Sequence, residues 1–487
     1  MTTELNLVDL LPLMPVFIVS MTSILVMLLI SVKRHHTLTA TVTVLGLNAA
    51  LGWIIWFFMN GSPVSVINLF MVDGFSMFYM TLILVAGLAC CTLAHAYIHD
   101  YQDNKEELYI LLLIAIAGGM LLVSAQNMTS FFIGLELLSV PTYGLLAYTH
   151  ERNKSLEAGI KYMVLSATAS ASILMGMAFL YAYSGTLNFH QLGKVLVTTL
   201  HEPLAVTGVG LILVGLAFKL SLAPFHRWTP DVYQGAPAPV ATFLATVSKV
   251  AVLALTIRFL FTSGAIAMDG VRDILTVLAV LSVIIGNLLA VRQSNLKRLL
   301  GYSSIAHLGY IFIALVALPG QQSISTVNIY IVAYVLTTIG AFGAVALMSS
   351  PYDGDEAESL ADYRGLFWRR PVLTAVLTVM MLSLAGIPLT AGFIAKFFVM
   401  LTAVNGAAWY LLAVVILGSA IGLYYYLRVL VVLYMTPPEK KGLDAQGNWG
   451  MQAGGIMVLL TSLLVLVLGV YPSPLIWLAS MARIVVQ

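Results

Sequence analysis

Residues 215–228 read GLAFKLSLAPFHRW. The stretch is apolar enough for a hydrophobic helix, yet it holds Lys219 and, five residues on, Pro224. Proline removes a backbone donor and frees carbonyls of the preceding turn. In lipid such a break is tolerated only where protein or water satisfies the freed groups. A second stretch, LAGIPLTAGFIAKFF at 384–398, repeats the pattern, with Gly386, Pro388 and Gly392 ahead of Lys396. A packing kink is the plain reading of each proline. A lysine beside an interrupted membrane helix is a stronger sign of an ion site than either feature alone.

Composition makes lipid the solvent. Of 487 residues, 60% are hydrophobic and 9% charged, whereas a soluble domain carries about 25% charged residues. The net charge of +2 says little about partners, and no basic cluster reads as a nucleic-acid patch. Cys90 and Cys91 are neighbours and would point about 100° apart on a helix, so they read as small core residues rather than a disulfide. No Cys/His spacing suits zinc or an iron–sulfur cluster. GVGLILVG at 208–215 lies inside a helical run, not at the strand–helix turn of a dinucleotide fingerprint. The N-terminal MTTELNLVDLLPLMP lacks the charged n-region of a cleaved signal peptide, and the apolar run after it is long enough to span.

A bilayer core needs about 20 apolar residues per helix. Such runs predict an all-α polytopic fold of about 14 helices, near 8–31, 37–59, 74–98, 108–124, 127–149, 156–184, 204–228, 237–261, 272–291, 300–318, 325–349, 371–401, 407–435 and 453–482. Loop charge alternates with this count. Lys33, Arg34, Lys105, Arg152, Lys154, Arg227, Arg292, Lys297, Arg298, Arg364, Arg369, Arg370, Lys440 and Lys441 fall on one side; only Lys194, Arg258, Arg272 and Arg483 fall on the other. The positive-inside rule makes the first side cytoplasmic and turns both termini outward. The loop SSPYDGDEAESLADYRGLFWRR is charged and too short for a domain, and SGTLNFHQLGKVLVTTLHEP suits an interfacial amphipathic helix.

Five ionisable groups fall inside these helices: Glu136, within FFIGLELLSVPTYGL, and Lys161, Lys219, Lys249 and Lys396. Each costs about 2.5–3.5 kcal/mol near the bilayer centre, and such groups usually face a bundle interior and mark an ion path. Lys161 lies one turn after Glu157, so a local i,i+4 pair competes with a pairing to Glu136 across helices. Lys219 and Lys249 sit too deep to snorkel. Burial disfavours the charged form of acid and base alike, which suits a carboxylate and several amines to exchanging protons near neutral pH. His226, two turns from Lys219 on the same predicted face, and His307, among the hydroxyls of GYSSIAHLGY, extend the series. Each is equally readable as a hydrogen-bonded structural histidine. His95, His99, His150, His190 and His201 read as interfacial. The interrupted helices are the seventh and twelfth, five apart and therefore opposite in direction, as in the inverted repeats of transporters.

KLSLAPFHRWTPDVYQGAPAPVATFLATVSK (219–249), MLSLAGIPLTAGFIAKFFV (381–399), FFIGLELLSVPTYGL (131–145) and NLKRLLGYSSIAHLGY (295–310) closely resemble hallmark segments of the antiporter-like subunits of respiratory complex I. The resemblance covers nearly the whole chain. It implies one membrane domain over 1–487: helices 1–3 in 1–100, a five-helix repeat in 108–261, its inverted partner in 272–436, and a last helix in 453–482. These repeats are helices 4–8 and 9–13, with helices 7 and 12 broken. By motif match it implies that Glu136 is the helix-5 glutamate, Lys161 the modulating helix-6 lysine, and Lys219, Lys249 and Lys396 the lysines of helices 7, 8 and 12. The implied activity is proton translocation in a bacterial inner membrane, driven by NADH oxidation and quinone reduction elsewhere. NADH, FMN, iron–sulfur clusters and quinone would belong to other subunits. The implied partners are other membrane-arm subunits, including antiporter-like sisters. A subunit of a multi-subunit cation/proton antiporter shares the same motifs and is the alternative reading.

Overall fold

The computed structural model describes residues 7–61, 64–198, 202–438 and 443–485. His201, Lys440 and Lys441, assigned above to an interface and to the positive side, lie outside these residues. The fold is almost wholly helical. In chain order the membrane-region helices are α1 (Met14–Val32), α2 (His36–Asn60), α3 (Gly74–Tyr97), α4 (Glu107–Ser124), α5 (Met128–Leu146), α6 (Asn153–Ser184), α7 (Pro203–Lys219), α8 (Trp228–Gly235), α9 (Ala238–Thr262), α10 (Asp269–Val291), α11 (Leu296–Ala317), α12 (Gln321–Met348), α13 (Pro371–Ala385), α14 (Ala391–Asn405), α15 (Trp409–Tyr434) and α16 (Ala453–Val470). Among the described residues, 12 helices are long and apolar enough to cross a membrane. The expectation was about fourteen; the further apolar helices α7, α13 and α14, at the two interruptions, are each shorter than a full crossing.

Local chemistry sets the ends. Asp73 caps α3 by accepting from Ser76 N at 2.9 Å, and Asn295 caps α11 by accepting from Arg298 N at 3.0 Å. Pro203 and Pro371 open α7 and α13, where a missing N–H costs nothing. The last predicted helix is shorter than expected: Pro472 parts α16 from a separate short helix, Ser473–Met481. An amphipathic helix stands in that segment, Phe189–Thr198, with Phe189, Leu192 and Leu196 buried along one face. A hairpin pairing Val64–Val66 with Phe70–Val72 was not foreseen. Its turn residues Ile67 and Asn68 both have φ of 54°, the left-handed backbone of a tight hairpin turn.

The breaks are real gaps in the helical ladder. α7 stops at Lys219, and Ser221 carries a φ of 62°. α13 stops at Ala385, with Gly386 at φ 82° and Leu389 at φ 73°. Left-handed backbone at a serine and a leucine costs energy and persists where surroundings enforce it. α9 has its own irregularity: Leu244–Ser248 winds as a π-turn immediately before Lys249. Such bulges concentrate at functional sites. α9 and α12 are buried throughout their apolar windows and α11 nearly so, whereas α1, α2, α15 and α16 expose most of theirs. The three wrapped helices form the axis of the bundle.

Ion clusters pin the two ends. At one end Arg258 donates to both carboxylate oxygens of Asp73 (3.1 and 2.7 Å), to Ser76 Oγ (2.8 Å) and to Val123 O (3.2 Å), while Val485 N donates to Asp73 Oδ2 (3.1 Å). Arg258, counted above as a loop charge, is in fact buried. Burial alone would raise the Asp73 carboxyl, but Arg258 outweighs it and holds it below the ordinary aspartate range. Arg258→Met is expected to destabilise the protein by about 3 kcal/mol, the low end for a broken buried pair, because Ser76 and Val485 still serve Asp73. A thermal midpoint in detergent equal to the parent's contradicts this. At the opposite end Glu356 is fully buried. It accepts from Tyr97 OH (2.5 Å), Ala238 N (2.8 Å), Arg152 (2.7 Å) and Lys297 (2.5 Å). Glu358 beside it takes Arg152 at 3.2 Å and pairs with Lys154.

Candidate functional site

The first interrupted helix ends against α5 and α6. Lys219, 3% exposed, donates to Ser139 Oγ at 2.8 Å and Ser166 Oγ at 2.6 Å. Tyr143 OH also donates to Ser166 Oγ, at 3.1 Å. Glu136, one turn before Ser139, accepts from Ser170 Oγ at 2.6 Å. Ser166 and Ser170 lie one turn apart on α6, so two serine rungs join the helices, one holding the carboxylate and the other the ammonium. Glu136 is near enough for its charge to act on Lys219. Among the described residues, no lysine forms an ion pair with it.

Lys249 serves the break itself. It donates to Leu220 O (3.3 Å) and Ser221 Oγ (3.1 Å). A helix C-terminus leaves carbonyls without partners and carries partial negative charge, and this ammonium answers both. Lys396 repeats the arrangement at the second break: it donates to Ala385 O, the last residue of α13, at 2.9 Å. The two half-helices thus end on a buried lysine drawn in one case from α9 and in the other from α14.

Around Lys396 lies a polar cage of tyrosines. The Lys396 ammonium stands 5.3 Å from the Tyr310 ring centroid, a cation–π distance. Asn287 Nδ2 donates to Tyr310 OH at 3.0 Å, and Tyr425 OH donates to Asn287 Oδ1 at 3.0 Å. His307 lies between two phenols, with Nδ1 2.7 Å from Tyr330 OH and Nε2 3.2 Å from Tyr426 OH. Tyr426 OH also meets Ser303 Oγ. Tyr334 OH is 2.7 Å from Ser304 Oγ. All of these side chains are buried.

Two of the residues singled out from sequence sit differently from their expected places. Lys161 is not buried: its side chain is 42% exposed, and it pairs with Glu157 at 2.6 Å and Asp231 at 3.2 Å, so the local pairing prevails over Glu136. His226 is buried, but the two-turn argument fails because α7 ends at Lys219 and residues 220–227 are turns. Its Nδ1 has no hydrogen-bond partner among the described residues. The serines, the tyrosines and Asn287 were missed. They are neutral, and in an apolar run they pass for core. Spacing offered one clue: Ser139 follows Glu136 by three residues, one helical turn on the same face. Asp231, which links Lys161 to Arg298 at 2.6 Å, was likewise missed.

The family described as NADH:quinone oxidoreductase/Mrp antiporter, TM, matches residues 125–422. NADH-quinone oxidoreductase subunit N of Acinetobacter baumannii (strain AB0057) is 62% identical over 478 residues, which are 98% of this chain and 96% of that protein. A chain of respiratory complex I from Thermus thermophilus with bound aureothin is 33% identical with a TM-score of 0.81, covering 96% of this chain and 99% of that one. A chain of the membrane-bound sulfane sulfur reductase, an archaeal respiratory membrane complex, gives a TM-score of 0.85 at 23% identity, over 97% of this chain and 96% of its own. A chain of the Mrp complex from Dietzia sp. DQ12-45-1b gives 0.83 at 21%, over 98% of this chain and 97% of its own. At the last two identities the likeness shows the fold alone.

Proposed function

Because the chain belongs to the NADH:quinone oxidoreductase/Mrp antiporter family of transmembrane subunits, with a subunit N relative matching nearly its whole length, we propose that it moves protons through the membrane arm of an NADH–quinone oxidoreductase. The observation that carries the reading is the shared chemistry of the two breaks: Leu220 O and Ala385 O each receive a buried lysine. Membrane ionisable groups at discontinuous helices mark ion sites in transporters.

The proposed cycle starts from these contacts. Glu136 and Lys219 occupy neighbouring serine rungs and alternate between this separated state and a paired one. Pairing holds the proton on Lys219; separation releases it toward the break, where Ser221 Oγ and Lys249 stand next. From Lys249 the proton passes through His307 toward Lys396. Lys161 sits at the exposed end and modulates Glu136 through the charge it shares with Glu157 and Asp231, while His226 lines the break. The driving reaction, quinone reduction, takes place in other subunits, which also hold NADH, FMN and the iron–sulfur clusters. In this reading residues 108–261 and 272–436 are inverted repeats, the Glu356 end faces the cytoplasm and both termini face the periplasm. Neighbouring membrane-arm subunits and the bilayer cover the exposed apolar helices.

Lys249→Met and Lys396→Met keep length and lose the ammonium. In complexes that assemble normally and are reconstituted in liposomes, each is expected to cut NADH-driven proton uptake several-fold while NADH oxidation by a soluble acceptor stays at the parent level. Full pumping in both variants overturns the relay. The Mrp-like fold favours a second reading, a subunit of a cation/proton antiporter. Purification of the native assembly separates the two: redox subunits accompany the chain in the first case and antiporter subunits alone in the second.

A further inference from the structure

His307 is held at both ring nitrogens by phenols from two other helices, Tyr330 on α12 and Tyr426 on α15. A neutral imidazole has one N–H and one acceptor nitrogen, and the partner of each nitrogen decides which is which. The two phenols are not equivalent. Tyr426 OH has a second side-chain partner, Ser303 Oγ, so it can accept from His307 and still place its own proton. Tyr330 OH has one side-chain partner among the described residues, His307 Nδ1 at 2.7 Å. Its proton is best placed on that nitrogen. Nε2 then carries the imidazole proton, directed at Tyr426 O.

We propose that Tyr330 is a positioning residue that fixes the tautomer of His307, and that Tyr330, His307, Tyr426 and Ser303 form an ordered proton chain between helices α12, α11 and α15. The inference deepens the relay proposed above and rests on it. The transfer balances with water as the terminal proton acceptor. A proton arriving at Tyr330 O displaces the phenolic proton onto Nδ1. The Nε2 proton moves to Tyr426 O, the Tyr426 proton moves to Ser303 Oγ, and Ser303 gives its own hydroxyl proton to water. Each group ends with the number of protons it began with, and one proton has passed from Tyr330 to the far side of Ser303. Resetting requires only that the phenols and the ring return to their starting orientation. The neighbouring Asn287 enforces order on the same cage. Its Oδ1 can only accept, so Tyr425 OH must point to it, and its Nδ2 can only donate, so Tyr310 is its acceptor.

The test uses the whole complex with ring nitrogen-15 histidine, read by solid-state NMR. The signal of His307 is taken as the difference between the parent and His307→Asn. The expected parent signal is Nδ1 unprotonated and Nε2 protonated. In Tyr330→Phe the phenolic donor is gone and its shape remains; the protonated fraction is expected to move toward Nδ1. Proton pumping per electron is expected to fall at least several-fold with NADH oxidation intact. A parent His307 carrying its proton on Nδ1 overturns the proposal without any variant being needed, as does an unchanged tautomer in Tyr330→Phe. Tyr426→Phe, which removes the acceptor at Nε2 and spares Tyr330, is expected to stop pumping while leaving Nδ1 unprotonated; protonation of Nδ1 there counts against the assignment. The tautomer does not depend on whether the chain pumps. Normal pumping by Lys219→Ala would therefore sink the relay while leaving the NMR result to stand or fall separately.

Discussion

Glu356→Ala destabilises the protein by about 5 kcal/mol, the upper end for removing one partner of a buried ion pair. The figure is large because one carboxylate answers four donors from four parts of the chain: Tyr97 on α3, Arg152 in the loop before α6, the first N–H of α9 and Lys297 on α11. Its removal strands the buried Lys297 charge and an N–H at once and leaves Arg152 to Glu358 alone. Glu356→Gln keeps the shape and some acceptor capacity, and is expected to cost less. The pH dependence has a definite sign. Burial pulls the Glu356 carboxyl upward, but Lys297, Arg152 and Tyr97 outweigh it and hold it below the ordinary glutamate range. A depressed folded value means stabilisation that is complete above the unfolded glutamate value near 4.3 and is lost as pH falls through the folded one. Thermal midpoints of parent and variant in detergent, measured from pH 7 downward, therefore converge in acid. A gap that stays constant through that range, or no gap at pH 7, refutes the assignment.

Lys219→Ala abolishes the proton flux carried by this chain. A positioned proton-transfer group is worth roughly 10²–10⁴ in rate, and among the described residues Lys219 is the one ammonium bonded to Ser139 and Ser166, on the rung next to Glu136. The alanine variant leaves Tyr143 OH on Ser166 and Ser170 on Glu136, so the helix packing there survives. The reconstituted complex is expected to oxidise NADH with a soluble acceptor normally and to lose the protons that depend on this subunit. A complex assembled normally and pumping at full stoichiometry would end the proposal. Lys219→Arg is informative beside it. The planar guanidinium keeps the charge but does not readily give up its proton, so it is expected to assemble as the parent does and still carry no flux.

Much of the architecture was readable because lipid imposes hard limits. Apolar runs of bilayer length, and lysines that would otherwise be costly, stand out in any sequence of this composition. Pro224 and Pro388 announced both breaks. What stayed hidden was partnership. Nothing in the spacing says that the amine filling the first break comes from α9 rather than from Lys219, because that pairing is made only when α7 and α9 pack together. His226 was misplaced by extending helical periodicity across residues that are turns. Lys161 was taken as buried because its helix is apolar, yet it stands on an open flank beside Asp231. Glu356 was hidden for the opposite reason: a carboxylate in DGDEAES reads as solvated, and only the folded loop carries it inside. The tyrosines around His307 gave no signal because a phenol counts as hydrophobic until its hydroxyl finds a partner.

The π-turn at Leu244–Ser248 has a consequence for how Lys249 could have arisen or be lost. A π-turn is an α-helix with one residue too many. If that surplus residue were wound into a regular α-helical spiral instead, everything on one side of it would swing by about 100° relative to the other. Either the lysine would leave Leu220 and Ser221, or Ala238 would leave Glu356. The surplus residue lets a single helix keep its anchor at one end and aim its amine at the middle.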